Sequence, residues 1–183
     1  MIYKENWKQE INTITEEFKK SFSNLTQEQL NWKPAPDVWS IGQIIDHLLK
    51  TNESFFPAIQ NLNSVNRSIP FTGRIGFIVN FFGNLIYKGV EPTRSKKTRT
   101  FPVWEPTTSS IPSNILKQYE ENQQMLMKLI DKNQNNFNKI LTSPANKNVV
   151  YKFGKAIDIF IAHQKRHYNQ AMEVYELIKE KNI

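Results

Sequence analysis

Four long stretches of this chain repeat apolar residues at the three- and four-residue spacing of an α-helix, which restricts the fold to a helical bundle. Trp7, Ile11, Ile14, Phe18 and Phe22 make one stripe over about Tyr3 to Ser23. Ile41, Ile44, Ile45, Leu48, Phe55 and Ile59 make a second, ending near Gln60. Ser40-Ile41-Gly42-Gln43 has the spacing of a capping box, so that helix starts at Ser40, and Pro57 is a candidate kink near its end. Ile115, Tyr119, Leu126 and Leu129 mark a helix that begins near Pro112-Ser113 and fades at Asn133 to Asn138. The last runs from about Lys155 to Lys181, with Ile159, Phe160, His163, His167, Ala171, Val174 and Ile178 on one face. The expected class is all-α, a bundle with long irregular connections.

The connections carry their own signals. Leu25 to Trp39 reads as a loop, with Pro34 and Pro36 between Trp32 and Trp39, which pack it onto the bundle end. Residues 61–73 are polar and read as another loop. Ile75 to Tyr87 is a further helix, very apolar, ended by Lys88-Gly89. It is shorter than the ~20 residues of a membrane span and is interrupted by two glycines and two asparagines. It is expected in the core, or as part of a substrate pocket, and its Phe77, Phe81 and Phe82 read as core before pocket or dimer face. Residues 89–112 hold Pro92, Pro102, Pro106 and Pro112. Lys88, Arg94, Lys96, Lys97 and Arg99 read as a solvated cationic loop ahead of a rim that attracts an anionic substrate. In residues 137–154, Ile140 and Val149-Val150-Tyr151 are short extended pieces or loop anchors. No internal repeat or domain-scale linker interrupts the chain, so residues 1–183 are expected to form a single domain.

Composition narrows the chemistry. The 183 residues include no cysteine, which excludes thiolate metal sites, cysteine nucleophiles and disulfides. Together with a first segment that has no apolar signal region, this favours the cytoplasm. The net charge of +7 is scattered and lacks an aromatic-interleaved basic motif, so nucleic acid is not expected as a partner. Nor is a membrane, since the apolar stretch is shorter than a span and membrane-surface contact is only its minor reading. A small-molecule substrate is expected.

The chain has three histidines, and all of them fall on or beside apolar helix faces. His163 and His167 are four residues apart, hence one turn apart on the same side of the last helix. His47 lies on the second helix in Ile44-Ile45-Asp46-His47-Leu48-Leu49. A single histidine on such a face is more often a hydrogen-bonded core residue than a ligand. Three buried imidazoles without partners would each cost on the order of 1–3 kcal/mol, and one shared cation removes that cost. Two ligands from one helix and a third from another describe a three-histidine site with a position left for water or substrate. Gln43, Asp46, Asp158 and Gln170 are within plausible reach as groups that orient the rings, but each reads first as a capping or solvent-facing residue. Arg166 reads equally as the partner of an anionic group or as an exposed charge.

Two segments carry a family resemblance. Asn31-Trp32-Lys33-Pro34-Ala35-Pro36-Asp37-Val38-Trp39-Ser40-Ile41-Gly42-Gln43-Ile44-Ile45-Asp46-His47-Leu48 resembles the opening signature of the DinB-like four-helix-bundle superfamily. Ala162-His163-Gln164-Lys165-Arg166-His167-Tyr168-Asn169-Gln170-Ala171 looks like its closing His-x-x-Arg-His-x-x-Gln signature. The connection around Arg99-Thr100-Phe101-Pro102 resembles the YfiT-like branch. The resemblance implies four main helices in up-down-down-up order and a divalent metal, zinc or nickel, on His47, His163 and His167. It also implies either S-transfer with a low-molecular-weight thiol such as bacillithiol or metal-dependent hydrolysis, and a homodimer. A small-molecule-binding stress-response bundle without turnover is the alternative. In a cysteine-free chain any thiol must come from a bound cofactor.

Overall fold

The computed structural model describes residues 2–93 and 100–183, with side chains in the first helix from Asn6 onward. Six helices and one hairpin follow in order: α1 (Ile2–Phe22), α2 (Gln27–Asn31), α3 (Ile41–Gln60), α4 (Gly76–Val90), α5 (Ile115–Lys132), β1 (Ile140–Ser143), β2 (Asn146–Lys152) and α6 (Phe153–Glu180). The expected fold class holds: the chain is mostly helical, and the two-stranded sheet is minor.

The bundle is built from α1, α3, α5 and α6. Both α1 and α3 pack against α5 and α6, so α1 lies diagonal to α3. The stripes expected from the sequence fill its centre. Ile11, Ile14, Phe18, Phe22, Ile41, Ile44, Ile45, Leu126, Phe160 and Ile178 are all 2% exposed or less. Full burial of one such side chain stabilises by roughly 1.5–3 kcal/mol.

These residues divide into two apolar clusters. One gathers Trp7, Phe55, Leu126, Phe153 and Phe160, and the other Ile14, Phe18, Ile44, Tyr119 and Ile178. Between them each helix contributes polar positions: Thr15 from α1, Asn52 from α3, Asn122 and Gln123 from α5, and Gln164 from α6. Asn52 Nδ2 donates to Asn122 Oδ1 at 2.9 Å. The three histidines sit along this polar waist.

Local chemistry explains the helix starts. Ser40 Oγ accepts from the Gln43 amide at 3.1 Å, and Gln43 Oε1 accepts from the Ser40 amide at 3.2 Å, the reciprocal box expected at that position. The stretch read as loop contains the same device, because Thr26 and Gln29 cap each other and start α2. Trp32 and Trp39 do pack onto the bundle end. Residues 137–154 resolve into an antiparallel hairpin that pairs Ile140 with Lys152 and Leu141 with Tyr151.

One expectation is corrected. The apolar helix α4 is not core: it lies outside the bundle, against β2 and α6. Only Val79 and Gly83 are buried, and a Cβ at Gly83 would stand 3.0 Å from Lys155 Cγ and 3.3 Å from Tyr151 Cβ. Phe77, Phe81 and Leu85 are 75%, 60% and 51% exposed, and Phe82 is half-buried. Hydropathy reports composition, and composition does not say which side of a helix has a neighbour.

Candidate metal centre

His47 comes from the second turn of α3, and His163 and His167 come from consecutive turns of α6, the helix packed beside it. The capping box at Ser40 fixes where α3 begins and thereby the direction in which His47 leaves it. Taken as whole residues, His47 and His167 are buried and His163 is half-buried.

The rings meet through their Nε2 atoms. His163 Nε2 lies 3.2 Å from His47 Nε2 and 3.0 Å from His167 Nε2. One ligand atom from each residue falls within 4.8 Å of the other two. Among the described residues no other group of histidine, aspartate and glutamate has this arrangement.

The outer nitrogens define the tautomers. His47 Nδ1 lies 2.6 Å from the Trp104 carbonyl, which can only accept. His167 Nδ1 lies 2.9 Å from Gln170 Oε1, likewise an acceptor. Both rings therefore carry their proton on Nδ1 and turn an Nε2 lone pair toward His163. A proton on His163 Nε2 could be given to one of these neighbours, leaving the other lone pair unmatched. A cation at their meeting point satisfies all three nitrogens.

Electrostatics act in the same direction. Burial pushes His163 well below the ordinary histidine pKa, and His167, His47 and Arg166 push it further down. Burial likewise lowers His167 strongly, helped by His47 and Arg166 and opposed by its bond to Gln170. His47 is lowered by burial, with the Trp104 carbonyl and Asp46 opposing. Neutral imidazoles are the form in which histidine binds metal.

The spacing fits a small divalent ion. Two nitrogens about 2.0–2.1 Å from one ion stand roughly 2.9 Å apart at a right angle and roughly 3.4 Å apart at the tetrahedral angle. The observed 3.0 and 3.2 Å fall between these values. Trp39 covers the cluster, its ring centroid 5.0 Å from that of His47 and 6.1 Å from that of His167.

Of the four residues weighed as orienting groups, only Gln170 touches an imidazole, which corrects its reading as a solvent-facing residue. Gln43 caps α3 and donates to the Thr107 carbonyl. Asp46 accepts from the Thr107 amide at 2.6 Å and pairs with Lys50. Asp158 accepts from Trp7 Nε1. Arg166 Nη1 donates to the Gly89 carbonyl at 2.8 Å, tying the end of α4 to α6. Trp104, the partner of His47, escaped notice because a backbone carbonyl has no sequence signature. Lys88 is exposed, while Arg94, Lys96, Lys97 and Arg99 lie outside the described residues.

Comparisons with known proteins bear on fold and family. A solved structure described as "YfiT from Bacillus subtilis is a probable metal-dependent hydrolase with an unusual four-helix bundle topology" superposes with a TM-score of 0.64. The match covers 96% of this chain and 87% of that one at 15% identity, a likeness of fold. No curated protein matches the chain. The family profile described as the DinB superfamily matches residues 10–171, a span that starts within α1 and encloses all three histidines. By that span, which takes in most of the bundle, the chain belongs to the DinB superfamily.

Proposed function

We propose that the protein is a metal-dependent enzyme in which His47, His163 and His167 hold one divalent ion, zinc or nickel, and that it acts on a small molecule in the cytoplasm. The observation that carries this reading is the convergence of three Nε2 atoms, two of them bared as lone pairs by Nδ1 hydrogen bonds to Trp104 and Gln170. When bound, such an ion supplies Lewis acidity to whichever oxygen or sulfur ligand completes its coordination.

The chain's own residues do the rest. Trp104 and Gln170 fix ring orientation and raise the basicity of the imidazoles they hold. Trp39 shields one side of the cluster from water. Asp46, the carboxylate beside His47 in sequence, is engaged by Thr107 and Lys50. Proton transfer at the open position therefore falls to water or to the substrate itself.

Hydrolysis is the leading reading, supported by the fold shared with a protein described as a probable metal-dependent hydrolase. S-transfer using a low-molecular-weight thiol is the second, supported by the absence of any cysteine that could take the open position from within the chain. Metal-loaded protein assayed against activated esters and amides, and against monochlorobimane with a panel of low-molecular-weight thiols, separates them. Turnover in one panel that is lost with His163→Ala is the expected result. Metal-loaded protein inactive in both panels would leave a binding protein in place of an enzyme.

A further inference from the structure

The exposed face of α4 has a chemistry that the metal centre does not use. Phe77, Phe81 and Leu85 recur every four residues and stand 75%, 60% and 51% exposed. Phe71, on the 3-10 turn before the helix, is 73% exposed. Arg74 and Lys88, both exposed, close the two ends of the same stripe. Single exposed apolar residues are ordinary, but a continuous ridge of this kind marks an interaction surface.

Charge identifies the partner. Helix α4, the turn before it and the hairpin pack on one another. The two sequence stretches that include them, 54–90 and 132–157, contain eight of the chain's 24 lysines and arginines and none of its 17 acidic residues. The cations are at the chain's ordinary density; what sets the module apart is that no carboxylate accompanies Arg74, Lys88, Lys147 and Lys152 within it.

A second copy of the chain is a poor occupant. In an antiparallel two-fold pairing centred on Phe81, Arg74 of one copy falls opposite Lys88 of the other, because each is seven residues from position 81. In a parallel pairing each cation falls opposite its own copy. The helix itself, Gly76–Val90, holds no carboxylate to set opposite those cations. Nucleic acid would answer the charge, and its unpaired bases can stack on Phe77 and Phe81, but it gives aliphatic Leu85 no apolar medium. An anionic bilayer surface supplies both requirements, negative headgroups above and hydrocarbon a few ångströms below.

We propose that α4 docks this protein onto an anionic phospholipid surface, with Phe77, Phe81 and Leu85 entering the headgroup–acyl boundary. No helix among the described residues is long and apolar enough to cross a membrane, so the contact is peripheral. The proposal departs from the sequence expectation of no membrane partner. The inference is independent of the metal reading.

The test is sedimentation of the full-length protein with phosphatidylcholine vesicles, with and without phosphatidylglycerol. Binding is expected only with phosphatidylglycerol and should weaken as salt rises. Phe77→Glu combined with Phe81→Glu should lower partitioning by about tenfold or more, and Arg74→Glu should lower it as well. These positions are exposed, so circular dichroism should be unchanged. The chain has no cysteine, so Leu85→Cys carries a single environment-sensitive label, whose emission should shift to the blue on phosphatidylglycerol vesicles. Any of four results overturns the proposal: no binding to either vesicle, binding indifferent to the Phe77 and Phe81 changes, a wild-type dimer that the double variant dissolves, or capture by single-stranded DNA with the vesicles ignored.

Discussion

At the scale of single residues, the outer nitrogens of the histidines matter as much as the inner ones. Gln170 fixes the His167 ring through a 2.9 Å bond, and removing such a partner typically weakens metal affinity about 10–100-fold. Gln170→Ala should show that loss in competition with a chromogenic chelator while unfolding at nearly the wild-type temperature. Gln123 offers the opposite case. It is fully buried on α5, and neither atom of its amide has a protein partner among the described residues. Replacing an unmatched buried amide by an apolar group of similar shape recovers about 1–3 kcal/mol, so Gln123→Met should raise the melting temperature.

Protonation of the metal-free histidines also has a definite sign. All three are held below the ordinary value near 6.5, so the unfolded chain binds more protons than the folded one. Stability of the metal-free protein is full above about pH 6.5 and falls as pH drops below it toward the lowered folded-state values. Thermal melts of chelated protein across that range should show the decline, and the His47→Ala/His163→Ala/His167→Ala variant should show much less of it. The histidine cluster was legible in the sequence because three rare residues fell on two apolar faces. Gln170 was visible but outweighed, and the Trp104 carbonyl was invisible, since any residue supplies one.

At the scale of elements, helices announced themselves where a stripe and a cap coincide. Ser40 and Gln43 mark the start of α3, and Ser40→Ala should cost about 1 kcal/mol, read by denaturant unfolding. The same spacing at Thr26 and Gln29 went unread beneath the prolines that follow it, so the short α2 appeared as loop. Leu141, Val150 and Tyr151 are buried in the hairpin, yet apolar runs this short have no period that separates strand from anchor. Helix α4 was found but misplaced. Its apolar residues were all counted inward, when Val79 and Gly83 are buried, Ile86, Tyr87 and Val90 are partly covered, and Phe77, Phe81 and Leu85 are exposed.

At the scale of the molecule, the bundle is two apolar clusters joined through a polar waist, and the histidines lie on that waist. Class and family were readable because stripes and signatures are local properties of sequence. The diagonal placement of α1 and α3, and the position of α4 outside the bundle, depend on contacts between distant segments and were not. The proposed metal would bridge α3 and α6, which already meet by packing and at the His47–His163 contact. Ligand linkage then stabilises the fold by about 4 kcal/mol when the ion is at a thousand times its dissociation constant. Chelation should lower the melting temperature accordingly.

The central claim is that one divalent ion sits among three imidazoles drawn from α3 and α6. Metal analysis of protein purified without added ions, joined to X-ray absorption at the edge of whatever metal is found, tests it most directly. The expected result is one zinc or nickel ion per chain, with three imidazole nitrogens at about 2.0–2.1 Å and the ion absent from His47→Ala and His163→Ala. Protein free of stoichiometric metal that also takes up none from zinc or nickel solutions would contradict it, as would an ion retained by both variants.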